Sequence, residues 1–463
     1  MIRIESALTP KDLLPLIESM WEASARSLDS IRQTWNPEHG SPVFTVAGRY
    51  TAQGWTEWTQ GFQFGSEILQ FDAAGDEKCL KAGRESTVRF MAPHVSHVGV
   101  HDHGFNNVST YGNLRRLMLE GRISHDPAEL NFYELALKLS GAVQAARWSP
   151  TIDGDGFVYS FNGPHSLFSD TIRSLRALAL AHQLGHRLMG ENDAPICLLD
   201  RLVRHARASA KYNVYYGEGR DAYDVSGRVV HESIFNTNDG RYRCPSTQQG
   251  YSPFTTWTRG LAWIILGYAE QLEFLQSLPD DDLKPLGGRA EIESFMRRAA
   301  IATADFYLEN TPADGVPYWD TGAPGLVRLG DYLDRPAEPF NDHEPVDSSA
   351  AAITCQGLLR LGTYLAESDE SSASRFRNAG LTVLNTLLQE PYLNTDPNHQ
   401  GLLLHSVYHR PRGWDHVPEG RKVPCGESCM WGDYHLREAA LYVQRLANND
   451  PYYTFFGPAP ETD

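Results

Sequence analysis

Amphipathic helical periodicity recurs from one end of this chain to the other, and it constrains the fold more than any other feature. The stretch PKDLLPLIESMWEASARSLDSI places Leu13, Ile17 and Met20 on one face at helical spacing. The same spacing returns in SDTIRSLRALALAHQLGHRLM, TRGLAWIILGYAEQLEFLQSL, EIESFMRRAAIATADFYLEN, SSAAAITCQGLLRLGTYLAES, SASRFRNAGLTVLNTLLQE and LREAALYVQRLANND. Because a helix with one apolar stripe must bury that stripe against another element, the pattern predicts an all-α fold.

The arrangement of these helices favours a toroid of helical hairpins, because paired helices alternate with long loops rich in Gly, Pro and Asp. No Pro/Ser linker and no shift in composition divides the chain, so we expect a single domain over residues 1–463. A weak internal echo, W-T-x-G in both EWTQGFQFG (57–65) and TWTRGLAWI (256–264), is consistent with repeated helical units. Strand signals are few, and SGRVVHESIFN with RYRCPS predicts one short hairpin.

Charge and cysteine usage exclude several classes of protein. The chain has 463 residues, 58 of them acidic and 41 basic, and its formal net charge of −17 disfavours nucleic acid and anionic membranes as partners. No apolar run approaches the roughly 18 residues of a membrane span, and the first residues carry no signal-peptide pattern. The six cysteines lack the spacing of a disulfide framework or a zinc site, so we interpret them as thiols and expect a cytoplasmic protein.

The segment GVHDHGFNN (99–107) permits two kinds of chemistry. His101 and His103 would face the same side of an extended segment and could share a metal ion, but no further ligand of metal spacing accompanies them. Asp102 between them could act as a general acid or base. A loop carboxylate that caps a helix beginning near Asn107 is the structural alternative. We favour a site without metal.

A second aspartate precedes a strongly apolar helix in GPHSLFSDTIRSLRALALAH. Asp170, or Ser169 beside it, would cap that helix well. Two carboxylates brought together at the inner ends of barrel helices can instead separate their pKa values, since burial and a neighbouring negative charge raise one of them. On position alone, capping is the simpler interpretation of Asp170.

The densest polar segment is HESIFNTNDGRYRCPSTQQGYSPFTTWTRGLAW, which runs from His231 to Trp263 and ends in an apolar helix. Arg259 could bind a carboxylate with two parallel hydrogen bonds. His231, Gln249 and Trp257 add polar groups and an aromatic face of the kind that suits sugars. The structural alternative is a packed loop with an ordinary surface arginine.

Taken together, five segments resemble the unsaturated glucuronyl hydrolases, glycoside hydrolase family 88. They are WTQGF (58–62), HDHGF (101–105), STQQGYSPFTTWTRGLAW (246–263), PYWDTGAPG with DSSAAAI (317–353) and MWGDYHLREAAL (430–441). The resemblance implies an (α/α)6 barrel, in agreement with the helical hairpins. The unsaturated rhamnogalacturonyl hydrolases, family 105, share this fold and chemistry and remain an alternative.

The resemblance also implies roles for individual residues. Asp170 matches the general acid/base, and Asp102 matches an assisting carboxylate that holds Asp170 protonated or orients it. The substrate-binding residues are then Trp58, His101, Phe161, His231, Gln249, Trp257, Arg259, Ser348 and Ser349, the two serines being the looser match. The family needs no metal and no cofactor. The expected partner is an oligosaccharide that begins with a 4,5-unsaturated uronic acid.

Two positions depart from the family pattern. His103 replaces a leucine and could add a donor beside Asp102. Where the family often has a tryptophan, YSFNGPHSLF offers Phe161 instead, at a different spacing. Three other kinds of protein remain alternatives: a lyase or conventional glycosidase on a related toroid, a carbohydrate-binding toroid without catalysis, and a metal hydrolase. Neither the source polysaccharide nor the oligomeric state follows from the sequence.

Overall fold

The computed structural model describes residues 1–54 and 57–457, and helices dominate it. The first half of the chain forms α1 (Leu14–Thr34), α2 (Gln60–Ala74), α3 (Glu77–Phe90), α4 (Ala92–Val95), α5 (His103–Asn107), α6 (Asn113–Leu119), α7 (Pro127–Ala146), α8 (Thr171–Ser174), α9 (Arg176–Gln183) and α10 (Leu198–Tyr212). The second half forms α11 (Thr258–Gln276), α12 (Asp280–Leu283), α13 (Arg289–Asn310), α14 (Ser348–Leu365), α15 (Glu370–Leu387) and α16 (Met430–Asn448). A π-helical turn, Val108–Gly112, joins α5 to α6.

The helices form two concentric rings. The inner ring runs α2, α5–α6, α8–α9, α11, α14 and α16, each contacts the next, and α16 returns to α2, so that the ring closes. An outer helix packs behind each inner one: α3 behind α2, α7 behind α5–α6, α10 behind α9, α13 behind α11, α15 behind α14 and α1 behind α16. This arrangement is the (α/α)6 barrel that the family resemblance predicts.

Burial along the two kinds of helix explains why they occupy different rings. Nearly every side chain of α11 and α14 is buried, because an inner helix packs against neighbours on all sides. In α1 the buried residues, among them Ile17, Met20 and Trp21, follow one stripe, and the opposite face is polar. The apolar face predicted from the sequence is therefore the one that turns inward.

The strands are more numerous than the sequence predicts. They are β1 (Pro42–Val46), β2 (Arg49–Ala52), β3 (Trp148–Pro150), β4 (Gly156–Val158), β5 (Ser166–Phe168), β6 (Leu188–Met189), β7 (Pro195–Ile196), β8 (Glu232–Phe235) and β9 (Tyr242–Ser246). The predicted hairpin exists as β8 and β9, to which β5 adds a third antiparallel strand. The other strands were not predicted, because strands of two to five residues are too short to show an alternating pattern.

The buried apolar side chains form one principal cluster, which reaches from Ile2 to Phe456, and a small satellite around Phe157 and Leu167. The single domain over residues 1–463 stays a prediction. All six cysteines are free. No helix within residues 1–54 and 57–457 combines the length and the apolar character needed to cross a membrane.

Candidate active site

The loops at one end of the barrel surround a cavity with about 640 Å³ of space, part of it open to solvent. Among the predicted site residues, those that line it are Trp58, His101, Asp102, Phe161, Asp170, Gln249, Trp257 and Arg259. Seven of the fifteen lining side chains are Trp, Phe or Tyr, and another seven are His, Asp, Gln or Arg. This composition is typical of pockets that bind small organic ligands such as sugars.

A close approach of two inner helices brings the predicted catalytic aspartates together. A side chain at Gly104 would place its Cβ 2.2 Å from the carbonyl oxygen of Ser174 and 2.6 Å from its Cα, so only glycine fits between α5 and α8. The Ser174 hydroxyl also accepts a hydrogen bond from the Gly104 amide at 2.9 Å and donates to the His101 carbonyl at 2.6 Å. These contacts hold the HDHGF segment against Ser174, the last residue of α8.

The three-stranded sheet positions Asp170, the second of the two aspartates. Pairing of Phe168 with Glu232 continues one residue further, where the Ser169 amide donates to the His231 carbonyl at 2.9 Å. Asp170 follows immediately, at the start of α8, and His231 therefore lies beside it. A strand too short to be seen in the sequence thus places the candidate acid.

Neither aspartate caps its helix. Asp102 and Asp170 occupy the positions before α5 and α8, but neither side chain makes a capping hydrogen bond in the described chain. The helix after Asp102 begins at His103, four residues earlier than the capping interpretation assumes. Both carboxylates are buried at 7% and 8% exposure, which makes an ordinary capping role the weaker interpretation for each.

His101 lies between the two carboxylates. Its Nε2 is 3.4 Å from Asp170 Oδ1 and 3.9 Å from Asp102 Oδ1, and its side chain is fully buried. Burial alone would lower the pKa of the imidazole, but Asp102 and Asp170 together hold that pKa above its usual value. The two carboxylates therefore favour the protonated form of His101.

The pKa values of the two carboxyl groups are shifted in opposite directions. Burial raises the pKa of Asp102, and the Asp170 carboxylate adds to that effect while His101 opposes it. Burial would also raise the pKa of Asp170, but His101 holds it below its usual range. The directions of the two shifts favour Asp170 over Asp102 as the ionised member of the empty site, and the roles of the two aspartates stay predictions.

His231 lies against this group without lining the cavity. Its Nδ1 accepts hydrogen bonds from the Gln248 and Gln249 amides at 3.0 and 3.4 Å, so its proton resides on Nε2. Burial lowers the pKa of His231 to about 4. His231 is a neutral imidazole, in contrast to His101.

Arg259 does not present an open guanidinium to the cavity. Its Nη1 donates to Asp347 Oδ2 at 2.8 Å and to the Val407 carbonyl at 2.5 Å. Its Nη2 donates to Gln249 Oε1 at 3.1 Å and to the Tyr408 carbonyl at 2.8 Å. The sequence predicts that the Arg259 guanidinium binds a carboxylate of the substrate, but in the structure its hydrogen bonds go to protein acceptors. Through them it holds the 407–415 loop against the barrel.

Ser348 and Ser349 lie at the start of α14 but do not reach the cavity wall. The Ser348 hydroxyl donates to the Leu404 carbonyl at 2.7 Å, and the Ser349 hydroxyl donates to Asp347 Oδ1 at 2.6 Å. Both are buried. The family resemblance predicts, as its looser match, that these two serines bind substrate, but their hydroxyl groups point to protein acceptors.

The histidines of the H-x-H segment diverge. His103 Nδ1 lies 3.0 Å from Ser140 Oγ and its Nε2 lies 3.0 Å from the His97 carbonyl, on the side away from the cavity. It does not add a donor beside Asp102, contrary to the expectation from the sequence. Among the described residues no three His, Cys, Asp or Glu side chains are grouped so as to hold a metal ion.

The sequence interpretation missed part of the wall: Val100, Phe105, Gln248, Trp263, Tyr408, His409 and Trp414. Gln248 and Trp263 lie inside the dense polar segment. His409 and Trp414 belong to the loop HRPRGWDH, and Tyr408 directly precedes it. The Pro, Gly and Arg residues of this segment predict a loop but not the direction of its side chains. His409 is 4% exposed, and neither of its ring nitrogens has a hydrogen-bond partner among the described residues.

Comparison with known proteins gives relatives that are named unsaturated glucuronyl hydrolase or unsaturated chondroitin disaccharide hydrolase. The chain is 27% identical over 397 residues to an unsaturated glucuronyl hydrolase of Formosa agariphila, covering 84% of this chain and 80% of the relative. It is 26% identical over 413 residues to an unsaturated glucuronyl hydrolase of Bacillus sp. strain GL1, covering 86% and 89%. No family model matches the chain.

The fold comparison agrees. The crystal structure of an unsaturated glucuronyl hydrolase specific for heparin superposes with a TM-score of 0.70 at 20% identity, covering 95% of this chain and 100% of that one. At this identity the superposition establishes the barrel fold. The resemblance predicted from the five sequence segments is confirmed.

Proposed function

We propose that this chain, similar in sequence and fold to the unsaturated glucuronyl hydrolases, is a glycoside hydrolase that removes a 4,5-unsaturated uronic acid from the non-reducing end of lyase-generated oligosaccharides. The observation that carries the proposal is the group of Asp102, His101 and Asp170, buried together at the wall of an aromatic cavity. The sequence relatives support the same activity.

The chemistry begins at the double bond of the substrate. The C4=C5 bond is an enol ether, because C5 carries the ring oxygen. Protonation at C4 forms an oxocarbenium ion at C5, and water adds there. The resulting hemiketal opens, and the remaining sugar leaves without direct displacement at C1, unlike the two usual glycosidase geometries.

Asp170 delivers the proton to C4 and then accepts a proton from the attacking water. Asp102 is the neighbour that keeps a proton within the group, since burial and the Asp170 charge raise its pKa. The uronate carboxylate enters a site that already holds two carboxyl groups. Its negative charge raises the proton affinity of Asp170 at the moment when protonation is needed.

The aromatic wall orients the sugar rings. Trp58, Phe161 and Trp414 are half-buried at the cavity surface, whereas Trp257 and Trp263 are buried deeper. Trp58 stacks on Trp431 with ring centroids 4.9 Å apart, which fixes the face that it offers. Gln248 and Gln249 supply amide groups for the uronate, and Arg259 acts mainly by positioning Gln249 and the 407–415 loop.

The decisive experiment follows the ultraviolet absorbance of the conjugated double bond. Unsaturated disaccharides produced by lyases from several polysaccharides are incubated with the purified protein. Loss of absorbance that Asp170→Asn abolishes and a chelator leaves unchanged supports hydration without metal. No loss across the panel overturns the proposal, and a gain of absorbance on intact polysaccharide identifies a lyase instead.

The setting of the reaction is part of the proposal. A role in polysaccharide degradation follows from the substrate, since only lyase products carry the unsaturated end. A cytoplasmic location is supported by six free cysteines, four of which are buried thiols with a pKa raised by burial, Cys79, Cys355, Cys425 and Cys429. Cell fractionation with an antibody tests the location, and recovery in the periplasm or medium would contradict it.

A further inference from the structure

We propose that His101 is a positioning residue that holds the proton which Asp170 delivers to C4, and that it does not act as a substrate ligand. The inference rests on the proposed function. It changes the role that the family resemblance gives to His101, and it assigns a source to the transferred proton.

The backbone and ring of His101 are fixed in place. Its carbonyl oxygen accepts hydrogen bonds from Gln144 Nε2 at 2.9 Å and Ser174 Oγ at 2.6 Å. Its ring lies nearly parallel to Phe161, with centroids 6.0 Å apart, and edge-on to Phe168 at 5.6 Å. The imidazole is therefore held at one orientation between the two carboxylates.

Among the described residues, no other protein group forms a hydrogen bond with the ring nitrogens of His101. Neither Nδ1 nor Nε2 has a hydrogen-bond partner of ordinary geometry among the described residues, and the nearest acceptors are Asp170 Oδ1 at 3.4 Å and Asp102 Oδ1 at 3.9 Å. Hydrogen bonds of catalytic groups are often long in empty sites and shorten when substrate binds. A shortening of about 0.5 Å brings Nε2 and Asp170 Oδ1 to transfer distance.

The charges around His101 come from several elements. Asp102 before α5 and Asp170 before α8 favour the imidazolium. Arg147, at the end of α7, opposes it. His205 on α10 is neutral, because burial lowers its pKa to about 3, and its Nδ1 accepts from the Val158 amide at 3.0 Å. The two carboxylates outweigh these groups.

The other imidazole beside Asp170 does not fit this role. His231 Nδ1 already accepts a backbone N–H, and burial lowers the pKa of that ring to about 4. It remains a neutral hydrogen-bond donor through Nε2. Of the two imidazoles beside Asp170, His101 is the one that faces both carboxylates.

The proton balance of one turnover then closes within the group. When the uronate binds, Nε2–H of His101 transfers its proton to Asp170 Oδ1, and Asp170 donates it to C4. The water that attacks C5 gives one proton to Asp170, which returns it to His101. One water is consumed, its hydroxyl ends on C5, and the group regains its starting charge.

His101→Gln tests the inference through the pH profile. In the unsubstituted enzyme kcat/KM should fall only as pH rises through the raised pKa of His101, above 6.5. In the variant only a carboxyl group can hold the proton, so the basic limb should move at least one pH unit lower. We expect kcat at pH 7 to fall about 10²-fold.

Two outcomes of this measurement would overturn the inference. A uniform loss at every pH, with the limb unmoved, would mean that His101 only supports the structure. A raised KM with unchanged kcat and limb would mean that it binds substrate. His103→Leu is the matched control, since it removes a neighbouring buried imidazole outside the cavity and should leave the limb in place.

A second measurement separates this inference from the proposed function. Nitrogen-15 spectra of the histidine rings, assigned with His101→Gln, give the titration of His101 directly, whether or not the protein turns over any substrate. Protonation that persists above pH 6.5 and weakens in Asp170→Asn supports the charged bridge. Titration of His101 below 6.5 refutes it, whereas inactivity on every unsaturated uronide refutes only the proposed function.

Discussion

Two groups of buried charge lie within two turns of each other on α8 and α9, and their composition differs. The cavity group has one imidazole between two carboxyls, Asp102 and Asp170. The barrel group has two arginines, Arg173 and Arg176, facing two glutamates, Glu270 and Glu438. One group carries an excess of acids, and the other is balanced.

The distances between the arginines and the glutamates show that each cation of the barrel group lies near both anions. Arg173 lies 2.9 Å from Glu270 and 3.1 Å from Glu438, and Arg176 lies 3.9 and 3.7 Å from the same two carboxylates. Burial would raise the pKa of Glu438, but the two arginines lower it to about 2. Glu438 is therefore ionised at neutral pH, and its ion pairs join α16 to α8 and α9.

The two groups also differ in the pKa of a fully buried histidine that lies beside or within each of them. His435, which lies by the barrel group, has its pKa lowered to about 3, first by burial and also by Arg173. His101 is equally buried, yet the carboxylate excess raises its pKa. Burial sets the starting point for both, and the net charge of the neighbours decides which imidazole keeps its proton.

The largest expected effect breaks the cavity group. Asp170→Asn removes the proton donor and should lower kcat by about 10³-fold or more, while the protein stays folded. Loss of ultraviolet absorbance measures turnover, and circular dichroism with thermal unfolding checks the fold. Near-normal turnover in this variant would remove Asp170 from the mechanism.

The next effect breaks the balanced group. Glu438→Gln leaves Arg173 and Arg176 facing one carboxylate, and should destabilise the protein by about 3–5 kcal/mol. Urea unfolding measures this, and the folded fraction should retain kcat. Glu370→Gln, which removes an exposed partner of Arg377, is the matched control and should change stability by less than about 1 kcal/mol. Equal effects of the two substitutions would contradict the comparison.

A third change separates the two carboxyls of the cavity group without altering any charge. Gly104→Ala places a methyl group against the Ser174 backbone and should push α5 away from α8. A displacement near 1 Å lowers kcat/KM by about 10²-fold. Gly457→Ala, where no atom lies within 4 Å of the added methyl group, is the control and should leave kcat/KM unchanged.

The smallest effect concerns the neutral histidines. Burial lowers the pKa of His103 to about 4, so the unfolded chain binds its proton near pH 6.5 before the folded protein does. Stability should therefore fall as pH drops from 6.5 towards 4. His103→Leu should reduce the slope by about 1.4 kcal/mol per pH unit, measured by urea unfolding, and an unchanged slope would refute the assignment.

The fold was predictable because its signal is long and repeated. Helices such as α1 and α11 carry the apolar spacing over many residues, and the resemblance supplied the closed ring. The short strands were not predictable. β5 has three residues, and only its pairing with β8 shows why Asp170 lies beside His231.

The candidate site was predictable at residues that a motif marks. Asp102 and Asp170 were identified from sequence, but their separation and the place of His101 depend on how closely Gly104 lets two helices approach. Arg259 has the expected chemistry, and loop carbonyls from distant sequence occupy it. His409 and Trp414 lie in a loop whose composition says nothing about where its side chains point.

The closure of the inner ring by α16 has a consequence for synthesis on the ribosome. Glu438, half of the acid that neutralises Arg173 and Arg176, lies on this last helix and is made more than 260 residues after the arginines it meets. Until it emerges, the nascent barrel would have to bury two cations against one anion, which is unfavourable. The buried charge around Arg173 and Arg176 therefore reaches balance only after α16 has been translated.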